Sequence, residues 1–563
     1  MADFDAIVIG SGMSGGWAAK ELCERGFKTL VLERGNHIEH GTDYSDFVPP
    51  WELENRGRVA EDEIARDYAI QSRCYAFSTA NKHFWVKDSD HPYLMPAERP
   101  FYWMRGYHTG GRSLMWGRQT YRWSDIDFEA NKKDGNGVDW PIRYADIAPW
   151  YDHVERFAGI SGTSAGLAQL PDSRFQPGMD FNAVEAEFKT RLEAAYPTRH
   201  VTIGRCAHLT EPTQEQIALG RGPCQFRSFC ERGCSFGAYF SSLSATLPAA
   251  ANTGNLTILT DSIVHSIVYD PLTRRASGVK VIDANTKAAR THQARLVFLC
   301  ASTIGTAQVL LNSTSETFPA GLANRSDAVG RYMMDHLSGL GATGLYPGHT
   351  DRYYYGRRPN GIYIPRYKNV TEPDQSFVRG FGFQGGAGRA GWKRGTASAG
   401  IGSEFKNELR NPGPWYVSLS GFAEMLPRAD NRVTLDPARS DKWGMALIHI
   451  DCSFGENDLK LAAQAERDAE EMLKSVGVTN IVPRKGPAPP GYGIHEMGTA
   501  RMGRDPVTSV LNGFNQAHDV ANLFITDGSC MASSACQNPS LTYMALTARA
   551  ADHAGQLLKE GLL

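Results

Sequence analysis

Two short stretches near the C-terminus carry the side chains best suited to move a proton. His495 opens HEMGTARMG (495–503), a glycine-flanked loop, and Asn538 lies in QNPSLT (537–542). A neutral imidazole with a pKa near the working pH can take the proton of an alcohol while its carbon gives up hydride. A carboxamide such as Asn538 can donate a hydrogen bond to the same oxygen and fix its position. A third group lies mid-chain. Cys224, Cys230 and Cys234 form C-x5-C-x3-C in PCQFRSFCERGCSFG and can face one point if the segment turns, as thiolates that bind iron or zinc from loops do. The spacing differs from the C-x2-C-x2-C of common ferredoxins. Tetrahedral zinc calls for a fourth ligand, for which Cys206 or His208 is at hand, whereas three ligands suit a three-iron cluster better. Three unlinked buried thiols are the alternative, and that is the reading for the other seven of the 10 cysteines.

These side chains need a scaffold, and the first 35 residues begin it. AIVI (6–9) is an apolar run of strand length, and Gly10, Gly12 and Gly15 follow in G-x-G-x-x-G spacing with Ser14 inside the turn. Residues 18–24 read as helix, and 29–32 as a second apolar run ending at Glu33. Gly10 permits a tight turn, Gly12 lets backbone approach a pyrophosphate, and Gly15 lets helix and strand pack closely. The helix start offers free N–H groups and the positive end of its dipole to phosphates. Glu33 stands where a carboxylate accepts hydrogen bonds from an adenosine ribose. The pattern alone does not separate FAD from NAD; its place at the beginning of the sequence favours FAD. RGYHTGGRSLMWG (105–117) is a second candidate, in which Gly110 and Gly111, between Arg105 and Ser113, suit a loop held against a flat ligand. A tight turn lining the core is the bland reading of that loop. Phe524 and Ile525 form a last strand with Asp527 and Gly528 at its carboxyl edge, where open α/β sheets bind ligands.

The chain has 563 residues with 42% hydrophobic and 21% charged content, enough for two or more globular domains. A net charge of −2 gives no reason to expect nucleic acid or an anionic membrane as partner. No segment reaches the roughly 18 uninterrupted apolar residues of a membrane span. The first strand follows the start so closely that no signal peptide is expected, which taken alone predicts a cytoplasmic protein; export with a signal-bearing partner would leave the same sequence. Further along, helices are expected over 61–70, 147–158 and 184–192, strands over 256–268 and 276–282, and a buried strand over 294–300 leading into a helix. Period-two patterns at 362–364, 415–419, 432–435 and 446–450 predict an antiparallel sheet. The stripe of Leu459, Ala462, Ala469, Leu473 and Val476 predicts an amphipathic helix over 459–476. GPAPPGYG (486–493) then breaks structure, and 542–551 forms a helix directed at the ligand.

Taken together, GSGMSGG at the start, RGYHTGGRS, GTAQVLL near 305, and HEMGT, TDGS and NPSLTYMAL at the end resemble the glucose–methanol–choline (GMC) family of FAD-dependent alcohol oxidoreductases over nearly the whole chain. The resemblance implies an α/β fold: a doubly wound, Rossmann-like FAD-binding domain (1–40, 100–125, 240–335 and 490–563) and a second substrate domain built on an antiparallel sheet with helices (41–99, 126–239 and 336–489). It places His495 at the family's catalytic-base position and Asn538 at the second position, with Pro539 near the flavin and Asp527 and Gly528 against its phosphate or ribityl portion. Met115 and Trp116 stand where some sugar oxidases attach flavin through histidine, so non-covalent FAD is expected. DWPIRYADIAPWYDHVE and VGRYMMDH resemble the branch of gluconate 2-dehydrogenase large subunits and bacterial sugar dehydrogenases. That branch implies a 3Fe–4S cluster on Cys224, Cys230 and Cys234, a small signal-bearing (Tat-type) subunit, a cytochrome c acceptor and a periplasmic site reached by co-export. Overall likeness points within it to glucoside 3-dehydrogenases, with gluconate 2-dehydrogenase, an aldose C1 dehydrogenase and an oxygen-using alcohol oxidase as alternatives. Trp116, His336 and the tyrosines 353, 354 and 355 (Tyr354 at their centre) are the candidate substrate contacts, each against a plain packing role.

Overall fold

A computed structural model of the chain describes residues 3–49, 51–353, 358–391, 394–395 and 398–563. Its first unit is the glycine turn's own scaffold. Strand Phe4–Ile9, buried from Ala6 onward, feeds helix Met13–Glu24 and returns as strand Thr29–Leu32 in parallel register, Ala6 beside Thr29 and Ile9 beside Leu32. Five strand segments run parallel in the order 256–259, 29–32, 4–9, 294–299 and 523–525. All-apolar strands such as AIVI and LVFL fit this position because helices cover both faces of a parallel sheet. Helix Met13–Glu24 packs on the helix Ser540–Lys559 and buries Trp17, Ala18 and Leu22.

Strand Ala289–Leu299 is long because it serves two partners. Its second half continues the parallel sheet, while residues 289–293 pair antiparallel with Arg275–Asp283, which pairs in turn with Ser262–Asp270. Here the expected single strand over 256–268 is two. Leu256–Leu259 edges the parallel sheet, Asp261 turns at φ +52°, and Ser262–Asp270 starts the meander. Thr260, Asp261 and Ser262 make only a short polar interval between two strands of like composition, which is why the period alone joins them.

The second sheet has six antiparallel strands, in the order Thr479–Pro483, Leu337–Tyr346, Trp415–Ala423, Phe381–Arg389, Ile362–Ile364 and Thr202–Ile203. Strands Arg432–Ser440 and Ala446–Asp451, expected within it, form a separate two-stranded sheet. Helix Glu456–Ser475 lies across Leu337–Tyr346 and Trp415–Ala423. Its buried stripe is Leu461, Ala462, Ala465, Ala469, Met472 and Leu473; Leu459, expected on that stripe, is 50% exposed. The α/β class read from the sequence is the class observed, and the site lies where the two sheets' edges meet.

Candidate active site

The glycines of the first turn differ in what surrounds them. Gly10 has φ +96°, and a Cβ there would lie 2.5 Å from the Cys300 carbonyl oxygen. A Cβ on Gly15 would fall 1.8 Å from the Gly10 carbonyl, so neither position admits a side chain while strand and helix keep their spacing. Gly12 is different: the nearest atom to its Cβ direction is the Gly110 carbonyl at 3.9 Å, and the space beyond is open. Gly110 (φ +83°) and Gly111 (φ +48°) bring the second glycine loop against this point, with Gly111 facing the Gly12 backbone. Ser113 fixes the loop by donating to the Gly110 carbonyl at 2.6 Å and accepting from the Ser242 N–H.

Between these turns and the edge of the antiparallel sheet lies a cavity of about 490 Å³. Gly10, Gly12 and Ser14 line it at the start of the first helix, with Glu33 at the end of the second strand. Arg105, Gly111, Ser113 and Trp116 line it from the middle of the chain, and His495, Asp527, Gly528 and Asn538 from the end. Gly15, Gly110 and Pro539 stand one layer behind; Pro539 is buried at the N-terminus of the last helix. Glu33 accepts hydrogen bonds from the N–H and hydroxyl of Ser11 and the N–H of Gly35, so its carboxylate braces the turn as well as facing the cavity; burial raises its pKa. An elongated dinucleotide fits this wall. Gly12 leaves room for it, the first helix has no side-chain cap on its N-terminus, and Arg105 Nε and Tyr543 Oη are buried there without a hydrogen-bond partner.

At one end the polar groups converge. His495 Nε2 lies 3.2 Å from Asn538 Nδ2, and Asn538 Oδ1 accepts from Gln384 Nε2 at 2.6 Å. On its other edge, His495 Nδ1 is 2.9 Å from Nδ1 of His336. The loop that carries His495 hangs on Asp335, whose carboxylate accepts from the N–H groups of Gly491 (2.8 Å), Gly493 (2.9 Å) and His495 (3.0 Å). Burial, with the Glu496 carboxylate nearby, raises Asp335 to about 7 against the pull of those donors. Next to it Arg112 donates to both oxygens of Glu496, at 3.1 and 2.7 Å. Burial, then His336 and Arg112, push His495 well below the ordinary imidazole pKa, so the ring is neutral at physiological pH. A neutral imidazole beside an amide N–H donor can accept a proton from a bound hydroxyl and hold the oxygen left behind.

His336, expected among the substrate contacts, is 1% exposed, does not line the cavity and sits behind His495. Trp116 does line it, with its indole N–H spent on the Phe240 carbonyl at 2.9 Å. Tyr354 lies outside the described residues. Arg112, Gln384 and Glu496 were missed in the sequence; Arg112 and Glu496 sit inside the quoted GGRS and HEMGT motifs, and Gln384 is one polar residue in a glycine-rich strand.

Cys224, Cys230 and Cys234 line one small cavity of their own, together with His208, whose Nε2 is 3.7 Å from Cys230 Sγ. The loop is irregular, with Phe226 and Ser228 at φ +54° and +60°. Pro359 borders both this cavity and the large one, and Arg118 and Glu231 stand between them. Cys206 is buried against Ser161 and does not line that cavity. Among the described residues no three His, Cys, Asp or Glu side chains are grouped to hold a single metal ion.

Profiles of the GMC oxidoreductase family match residues 4–338 and 427–547. The chain belongs to the GMC oxidoreductases. It is 28% identical to a 2-methyl-1,2-propanediol dehydrogenase of Mycolicibacterium austroafricanum over 98% of this chain and 94% of that one. It is 25% identical to the fructose dehydrogenase large subunit of Gluconobacter japonicus, over 99% and 98%. In fold it is similar to pyridoxine 4-oxidase from Mesorbium loti, with a TM-score of 0.59 and 16% identity over 98% of both chains. This GMC oxidoreductase is therefore an FAD flavoenzyme acting on CH–OH donors, and FAD is the dinucleotide that its glycine turns accommodate.

Proposed function

We propose that this GMC oxidoreductase is a sugar dehydrogenase that oxidises a secondary hydroxyl of a glucoside or disaccharide, in the manner of a glucoside 3-dehydrogenase. The observation that carries the proposal is the pairing of His495 and Asn538 on the wall opposite the glycine turns. His495 Nε2 accepts the hydroxyl proton, and an Asn538 amide N–H holds the oxygen as its carbon loses hydride. Non-covalently bound FAD supplies the hydride acceptor; Met115 and Trp116 stand where a histidine could have linked it. The chain's contribution is to hold donor carbon and acceptor in line, an effect that can reach roughly 7–11 kcal/mol. Gln119 and Gln384 line the cavity with amides suited to sugar hydroxyls; Gln384 donates to Asn538, and Gln119 accepts from Asn360 at 2.9 Å. The sugar-acting relative of similar length supports the same substrate class.

Cys224, Cys230 and Cys234 would hold a 3Fe–4S cluster. Three free thiols around one cavity, next to the cation of Arg118, are a suitable donor set, and a cluster spreads its ligands over different irons, unlike a single ion. Its chemistry is one-electron transfer, which matches a dehydrogenase that delivers to a cytochrome c rather than to oxygen. A small signal-bearing subunit and periplasmic placement by co-export complete the proposal, with a cytoplasmic site as the alternative. The test is a visible spectrum with iron and sulfide analysis of purified protein, followed by anaerobic titration with a sugar panel. Flavin bleaching by glucosides in that titration, with dye reduction in turnover at a rate unchanged by oxygen, supports it; bleaching by none of the sugars overturns the substrate class.

A further inference from the structure

His336 stands behind the candidate base, and its contacts have a fixed polarity. Its Nε2 lies 3.0 Å from the Ser534 carbonyl oxygen, which can only accept, so Nε2 carries a proton. The ring is fully enclosed, it is hydrogen-bonded to that carbonyl and to His495, and burial drives its pKa down to about 4. It is therefore neutral and has one proton, already placed. His336 Nδ1 is left as a lone pair, and the His495 Nδ1 facing it at 2.9 Å must be the donor.

We infer that His336 is a positioning residue that sets the tautomer of His495, holding the proton on Nδ1 and the lone pair on Nε2, toward the cavity. The far side agrees independently. The Asn538 amide nitrogen, which can only donate, lies 3.2 Å from His495 Nε2, and Gln384 fixes the orientation of that amide by donating to Oδ1 at 2.6 Å. One direction of donation runs from Gln384 through Asn538, His495 and His336 to the Ser534 carbonyl. The other His495 tautomer would set two lone pairs against each other at Nδ1 and two N–H groups against each other at Nε2. Adjacent residues divide the work: Asp335 holds the His495 main chain and His336 holds its ring, packed edge-on at 4.8 Å between centroids. The inference rests on His495 being the base, because only then does its tautomer bear on rate.

The tautomer is read directly, without substrate, from long-range 1H–15N spectra of the flavin-loaded protein carrying 15N-histidine, with His495 assigned by its loss in His495→Gln. A protonated Nδ1 and bare Nε2 on His495 are expected; a protonated Nε2 overturns the inference, whatever the His336 variants do. In turnover, His336→Phe keeps a ring but offers no acceptor, and a kcat loss of about 100-fold or more is expected at little change in KM, the scale of a misplaced proton on a catalytic base. His336→Asn, whose Oδ1 can replace Nδ1, is expected to recover at least about 10-fold of that loss. A His336→Phe kcat within twofold of wild type, or an Asn variant no faster than Phe, contradicts the assignment. Failure of the base reading itself shows differently: His495→Ala then keeps its activity while the wild-type spectra still report the tautomer.

Discussion

His495 is neutral because its surroundings penalise a second proton. Enclosure comes first, then His336 and the Arg112 guanidinium, which itself is held by Glu496; Asp335 faces the His495 main chain rather than its ring. A base whose pKa is depressed keeps its free form as pH falls past the ordinary imidazole value. The acid limb of kcat/KM is accordingly expected below pH 6.5, the usual imidazole pKa. A limb at or above 6.5 in a pH–rate profile would count against this environment. At this scale the sequence was informative where a motif carried the residue: His495, Asn538, Asp527 and Gly528 all reach the cavity. It misled on His336, because a histidine beside a catalytic histidine and one beside a substrate look alike in sequence. Only the fold brings 336 and 495 within 2.9 Å across 159 residues.

Among elements, the first turn makes the sharpest contrast. A methyl group on Gly15 meets backbone at 1.8 Å, so Gly15→Ala has to separate strand and helix. Overpacking of this kind costs about 1–3 kcal/mol or more, and a clearly lowered melting temperature is expected even without flavin. Gly12→Ala meets nothing nearer than the Gly110 carbonyl at 3.9 Å and has extended backbone angles (φ −69°), so the apoprotein is expected to melt as wild type does while flavin content falls. Thermal unfolding of apo and loaded forms, with flavin absorbance, distinguishes the two. The strands and long helices were legible because burial on both faces or one stripe leaves a periodic mark. Their ends and partners were not: Asp261 turns in a polar interval of three residues between like strands, and the 432–440 and 446–451 pair shares its alternation with the six-stranded sheet that it does not join. Leu459 stands at the margin of the helical period, and the first turn buries Asp458 in its place.

For the molecule as a whole, the two cavities stand back to back, sharing Pro359 and separated by Arg118 and Glu231. If the cysteine loop holds a cluster, Cys230→Ser is expected to lose iron and sulfide while sugar still bleaches the flavin in a single anaerobic turnover, and steady-state transfer to a one-electron acceptor falls at least about 10-fold. Iron that stays at the wild-type level in that variant would remove the cluster from the scheme. No composition or spacing could give this arrangement of the cavities, since 118, 231 and 359 are distant in sequence and meet only after both sheets are assembled.

The decisive measurement is stopped-flow reduction of the bound flavin under anaerobic conditions by a glucoside deuterated at the reacting carbon. Wild type is expected to show a slower phase with the deuterated sugar, and His495→Ala, with flavin fully bound, a rate lower by about 10²–10⁴-fold. Bleaching by His495→Ala within twofold of the wild-type rate would contradict a base at position 495.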